Sequence, residues 1–159
     1  MFDPGDLIIA LSTAKVDYVV IGGFAVGAHG FPRATKDLDV VPAGETENLE
    51  KLAAVLATLG AAHHEPGDFD PSEFPYDPLD PDQLALGGNF LLATTAGRLD
   101  VMQWVPGIDA DRAYDVLAPQ AISVPFRGVT VRVCSLAHLR QMKEAAGRPQ
   151  DLVDLENLP

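Results

Sequence analysis

The stretch Val19-Val20-Ile21-Gly22-Gly23, followed fourteen residues after Gly23 by Asp37-Leu38-Asp39, constrains this chain more than any other part of it. Uninterrupted β-branched residues up to Ile21 read as a strand buried on both faces. Two glycines at its end read as a turn, and Phe24 to His29 have the small, apolar composition of a short helix packed on a sheet. Glycine amides and a helix N-terminus then point at one place, the usual way a backbone holds phosphate. Leu38 to Val41 reads as a second strand, whose two-residue period puts Asp37 and Asp39 on one face. Like charges so placed require a cation. A phosphate cradle beside paired carboxylates suits a magnesium–nucleotide complex, because hard oxygen ligands hold the ion while phosphates complete its octahedron.

A third carboxylate lies further on. Phe90 to Thr94 and Leu99 to Gln103 read as strands joined by the hairpin signal Thr95-Ala96-Gly97. In the second strand Leu99, Val101 and Gln103 face one way and Asp100, Met102 and Trp104 the other, which puts Asp100 inside an apolar pattern. A carboxylate there needs hydrogen bonds or a metal.

The rest of the chain supplies a scaffold. Leu7, Ile8 and Leu11 recur at helical spacing after Asp3-Pro4, a capping residue and a first-turn proline. Glu45 to Leu59 is an amphipathic helix with Leu49, Leu52, Leu56 and Leu59 on one stripe and Gly60 as its stop. Ala110 to Leu117 reads as a modest helix, and Ile122 to Val124 pairs with Val129 to Val133 around Phe126-Arg127-Gly128. Ser135 caps a helix carrying Leu136, Leu139 and Met142 that Gly147 ends, and Pro149 opens a last helix with Leu152, Leu155 and Leu158 on one side. This order of strands and helices predicts an α/β (α+β) fold with a mixed, twisted sheet and helices packed mainly on one side. Its 159 residues suffice for one domain with a real core, so residues 1–159 are expected to form a single domain with 135–159 as C-terminal helices.

Charge narrows the partners. A net charge of −12 and a pI near 4.5 argue against non-specific affinity for nucleic acid or anionic membrane. The distribution is uneven, since seven of the eleven basic residues fall between Arg98 and Arg148, which leaves room for a local cationic site. The single cysteine, Cys134, excludes an internal disulfide and fits a cytoplasmic location. Asp3 and Asp6 occupy the place of a basic signal-peptide start, and no apolar run is long enough to span a bilayer. Residues 61–83 hold five prolines and seven acidic residues; they read as a short edge strand near Ala61 to His64 followed by a long surface loop, 65–83, whose length fits a lid or a partner surface, with a solvated insertion as the plainer alternative. His63-His64 is a weak metal candidate, and His29, at a helix end, reads as structural.

Gly22-Gly23, the run Arg33-x-Thr35-x-Asp37-x-Asp39 and the strand Gly97-Arg98-Leu99-Asp100-Val101 together resemble the nucleotidyltransferase superfamily related to DNA polymerase β. Within it, the segment from Met142-Lys143 through Ala146-Gly147-Arg148-Pro149 to Asp151-Leu152 and Asp154-Leu155 is similar to small bacterial proteins of the abortive-infection toxin type. The resemblance implies transfer of a nucleoside monophosphate from a nucleoside triphosphate to a hydroxyl, with Mg2+ or Mn2+ as cofactor. It implies Asp37, Asp39 and Asp100 as catalytic metal ligands, and Gly22, Gly23, Arg33, Thr35, Lys36, Lys143 and Arg148 as the nucleotide-binding set. One departure stands out: many active members carry Gly-Ser where this chain has Gly22-Gly23, so backbone amides alone serve there. Arg148 also has a plainer role open to it, pairing with Asp151, and Thr35 one in shaping its turn. The acceptor is left open among transfer RNA, protein and a small molecule such as an aminoglycoside. The partner is left open between a second copy of the chain and an antitoxin, and a non-catalytic interaction module is the rival reading.

Overall fold

The structure, a computed structural model, describes residues 2–64 and 76–159. Seven strands form one mixed sheet. They are β1 (Tyr18–Ile21), β2 (Asp37–Pro42), β3 (Ala62–His63), β4 (Phe90–Thr94), β5 (Gly97–Val101), β6 (Ile122–Phe126) and β7 (Val129–Val133), in the spatial order β3-β4-β5-β2-β1-β7-β6. The hairpins β4–β5 and β6–β7 are antiparallel, as is β1 on β2, whereas β2 runs parallel to β5 and β1 to β7. Parallel pairs need crossovers, and the helices supply them.

Around the sheet lie α1 (Gly5–Thr13), α2 (Gly22–Ala28), α3 (Thr46–Thr58), α4 (Pro81–Leu84), α5 (Ala113–Leu117), α6 (Leu136–Ala146) and α7 (Pro149–Asn157). Leu7, Ile8 and Leu11 of α1 are fully buried, and Asp3 accepts the Gly5 amide at 2.8 Å just ahead of it. Every residue of β1 is buried, so both faces of the central strand are covered. The leucine stripe of α3 lies in the same core with Leu38, Val40, Leu99 and Val101. His29 ties the end of α2 to the end of β7 through its Nε2 and the Cys134 carbonyl, 2.7 Å apart, a structural role.

Several boundaries differ from those read in the sequence, each for a local reason. α2 begins at Gly22 itself, because that residue takes a φ of +67° and turns the chain straight out of β1. The hairpin turn is only Thr95-Ala96, with Gly97 at φ +116° already paired to Thr94, so β5 starts and ends two residues early. α5 begins at Ala113, three residues late. Residues 65–75 of the acidic loop lie outside the described residues; after them Asp80 caps α4 by accepting the Asp82 amide at 2.9 Å.

The last helix is oriented otherwise than its leucines suggest. Leu152 is 54% exposed, whereas Asp151 and Asp154 are completely buried on the opposite face, with Leu158 beyond them. Charge pairing sets that face, as the site shows.

Candidate active site

Register brings the carboxylates together. Asp39 lies directly across from Asp100 on the parallel strand β5, and Ile21 and Leu91 flank them on β1 and β4. Asp37 sits two residues before Asp39 on the same face, beside Arg98. One carboxylate oxygen from each of Asp37, Asp39 and Asp100 lies within 4.8 Å of the others. Among the described residues this is the one such cluster of His, Cys, Asp and Glu side chains, and His63-His64 is not part of it; the His63 ring faces the Tyr76 carbonyl at 2.6 Å and stacks on Phe90.

The electrostatics of the three are those of a crowded anionic site. Burial, reinforced by the charges of Asp37 and Asp100, pushes the Asp39 carboxyl up to about 8. Burial and Asp37 push Asp100 to about 6, against the pull of Arg98. Asp100 is 8% exposed, and its Oδ1 is buried with no hydrogen-bond partner. An unpartnered buried carboxylate oxygen beside two further carboxylates is a donor set that fits a hard divalent cation.

Gly22 and Gly23 are where a side chain would do harm. A Cβ on Gly22 would collide with the Asp39 carboxylate, and one on Gly23 would lie 2.8 Å from Thr35 Oγ1 and 3.0 Å from Thr35 Cβ. The volume a serine would use at position 23 is therefore filled by Thr35, whose hydroxyl donates to the Asp37 carbonyl at 3.0 Å.

Beside the carboxylates a cavity of about 430 Å³ is lined by Gly22, Gly23, Arg33, Thr35, Lys36, Asp37, Lys143 and Arg148. Three of its cations are held from behind by α7. Arg33 forks onto Asp154, Nε to Oδ1 at 2.7 Å and Nη2 to Oδ2 at 2.8 Å. Lys143 Nζ lies 2.9 Å from Asp151 Oδ1 and 2.9 Å from Asp154 Oδ2, and Arg148 Nε lies 2.7 Å from Asp151 Oδ2. Arg148 thus makes the pairing with Asp151 and lines the cavity as well, its side chain still 73% exposed. Lys36 is exposed at the rim. The sequence reading passed over Asp151 and Asp154 as site residues. The one local signal is the i,i+3 spacing of Arg148 and Asp151; Arg33 and Lys143 reach the two carboxylates from other elements.

No family model and no curated protein matches the sequence. The fold does match solved structures. The chain superposes on the antibiotic-resistance factor ANT(2'')-Ia in its solution structure at a TM-score of 0.56 and 18% identity, covering 94% of this chain and 77% of that one. On the crystal structure of ANT(2'')-Ia with adenylyl-2''-tobramycin the TM-score is 0.53 at 16% identity, with 94% and 82% covered. A Thermotoga maritima protein assigned as a nucleotidyltransferase gives a TM-score of 0.57 at 16% identity, over 98% of this chain and 93% of that one.

The chain has the nucleotidyltransferase fold. At identities this low the likeness speaks for architecture, and chemistry has to be argued from the site.

Proposed function

We propose that this protein is a metal-dependent nucleotidyltransferase that moves a nucleoside monophosphate from a nucleoside triphosphate to a hydroxyl acceptor. The observation that carries the reading is the convergence of Asp37, Asp39 and Asp100 within 4.8 Å, next to a cavity lined by the four cations Arg33, Lys36, Lys143 and Arg148. Asp37, Asp39 and Asp100 would hold Mg2+ or Mn2+, which supplies charge compensation on the phosphates and acidifies the acceptor hydroxyl.

The chain's own groups do the remainder. Arg33, Lys143 and Arg148 neutralise phosphate oxygens, with Lys36 at the rim, and the Gly22-Gly23 turn would contribute backbone amides. The acceptor oxygen bonds to the α-phosphorus, the bond from that phosphorus to the bridging oxygen breaks, and pyrophosphate departs with the electron pair. Asp100, whose Oδ1 is buried and unpartnered, would take the acceptor's proton through the oxygen that the ion leaves open.

For the cellular setting we propose a toxin–antitoxin or phage-defence role, on the likeness of the segment Met142 to Leu155. ANT(2'')-Ia, seen with adenylyl-2''-tobramycin, supports modification of an aminoglycoside as the second reading. The test is pyrophosphate release with each nucleoside triphosphate, Mg2+ or Mn2+ and a panel of transfer RNA, protein and aminoglycoside acceptors. Release that needs metal and is lost in Asp39→Asn is expected. Absence of nucleotide binding with either metal would leave a non-catalytic interaction module in its place.

A further inference from the structure

A second cavity, of about 570 Å³, opens between the β4–β5 face and α6. It shares Gly22, Asp39, Asp100, Lys143, Arg148 and Asp151 with the phosphate cavity, and lacks Asp37, Gly23 and Arg33. The two meet at the cross-strand row Ile21, Asp39, Asp100, Leu91 and leave it in opposite directions. One runs toward Asp37 and the loop before it; the other runs along β5 toward Met102. Away from the shared residues the second is mainly apolar, with Leu91 on β4, Met102, Val105 and Pro106 in the segment after β5, and Leu139 and Met142 on α6. Two of the chain's three methionines are here, and flexible thioethers pack well against the edges of flat rings.

In-line displacement at phosphorus brings the entering oxygen in opposite the departing one. With pyrophosphate leaving among Gly23, Arg33 and Thr35, the entering hydroxyl comes from the side of Leu91 and Met102. Resting on the nucleotidyl-transfer reading, we infer that this cleft is the acceptor subsite and that it takes a hydroxyl carried on an uncharged, apolar body, a phenol or another aromatic alcohol.

A polyamine is the wrong shape of charge for it. Among the described residues, the carboxylates lining the cleft are Asp39, Asp100 and Asp151. Asp151 is already paired with Lys143 and Arg148, and the first two belong to the reaction itself. An ammonium group would face two cations and a thioether wall with no carboxylate to spare, and burying an unpaired charge is costly.

The chain carries its own probe. With ε-13C-methionine labelling, the Met102 and Met142 methyls report on the cleft. Addition of 4-ethylphenol or N-acetyl-L-tyrosinamide should shift both cleft resonances saturably, with tobramycin moving neither. Leu91→Ser, at a position 45% exposed and so tolerant of the change, should weaken that response at least fivefold; Met142→Glu should do the same from the opposite wall.

Failure of both phenols to shift the methyls, or shifts from tobramycin alone, would overturn the subsite. So would shifts from ATP that inorganic tripolyphosphate does not produce, since the cleft would then hold the nucleoside. Melting with magnesium–ATP is read in parallel: stabilisation without phenol shifts strikes the subsite only, whereas phenol shifts without any nucleotide stabilisation strike nucleotidyl transfer and the acceptor role with it.

Discussion

At Asp39 the fold holds a carboxyl whose pKa is raised to about 8 by burial and by Asp37 and Asp100. A carboxyl that keeps its proton more tightly when folded contributes most to stability below its unfolded value of 3.8, and that contribution is lost as pH rises through about 8. In metal-free protein Asp39→Asn should therefore melt higher than wild type at pH 8.5. After allowance for the half-buried setting the gain is about 1–2 kcal/mol, or ~2–8 °C, and it should shrink toward pH 5. Calorimetry in a chelator at the two pH values checks this; an unchanged melting temperature at pH 8.5 would mean the three carboxylates do not repel. The same variant should lose ~10²–10³ in the rate of pyrophosphate release, the scale of removing one preorganised electrostatic group from a transition state. Gly23 is the neighbouring test. Sequence alone suggests that a serine there would restore a missing phosphate contact, yet the space belongs to Thr35. Gly23→Ser should weaken triphosphate binding because Thr35 must swing off the Asp37 carbonyl, and the double change with Thr35→Ala should recover it, as titration with magnesium–tripolyphosphate would report.

The element that matters most beside the sheet is α7. Its Asp154 carboxyl is held near 2, the bonds from Arg33, Lys143 and Gln150 overcoming the cost of burial, and Asp151 is lowered in the same way by Arg148 and Lys143. Groups with depressed pKa values stabilise the fold above about 4, and that part is lost as pH falls toward 2. Asp154→Ala leaves Arg33 without its carboxylate and Lys143 with Asp151 alone, and should cost about 3 kcal/mol, the low end for breaking a buried pair, against less than ~1 kcal/mol for Leu152→Ala on the exposed face. Urea titration of both variants distinguishes them, and equal losses would mean that the leucine face, not the charged one, anchors the helix. This helix also marks where the sequence stopped being legible. β1, β4, α3 and the Ser135-to-Gly147 span of α6 were readable because β-branching, a 3.6-residue stripe, a capping serine and a left-handed glycine are local signals. The carboxylate site was readable because the two-residue strand period fixes Asp37 against Asp39, and Asp100 was out of place among apolar neighbours. The face of α7 was not, because it is chosen by Arg33, distant in sequence, and by partners on α6; hydrophobic periodicity carries no trace of a salt-bridged core. The apolar cleft was illegible for the same reason, being assembled from β4, β5, the segment after it and α6.

For the molecule as a whole, the triphosphate substrate proposed above would have to bind a chain of net charge −12. Arg33, Lys143 and Arg148 line one cavity beside the carboxylates, with Lys36 at the rim, which gives an acidic chain a local cationic set. Binding to the native state alone must raise the melting temperature, by about 2.7 kcal/mol at a hundred times Kd, or ~5–11 °C for a chain of this size. Nucleoside triphosphate with Mg2+ or Mn2+ should produce that rise, and nucleotide in a chelator should not, because phosphates brought up to three uncompensated carboxylates meet repulsion that the cations only partly offset. Asp39→Asn should abolish most of the rise. Asp100→Asn should retain more of it, since Asp37 and Asp39 on β2 would still flank the phosphate cavity, while Asp100 sits one strand further along the sheet, next to Leu91. A rise of equal size with and without metal would show that the cations alone carry binding, and the three carboxylates would then need another explanation for being buried together.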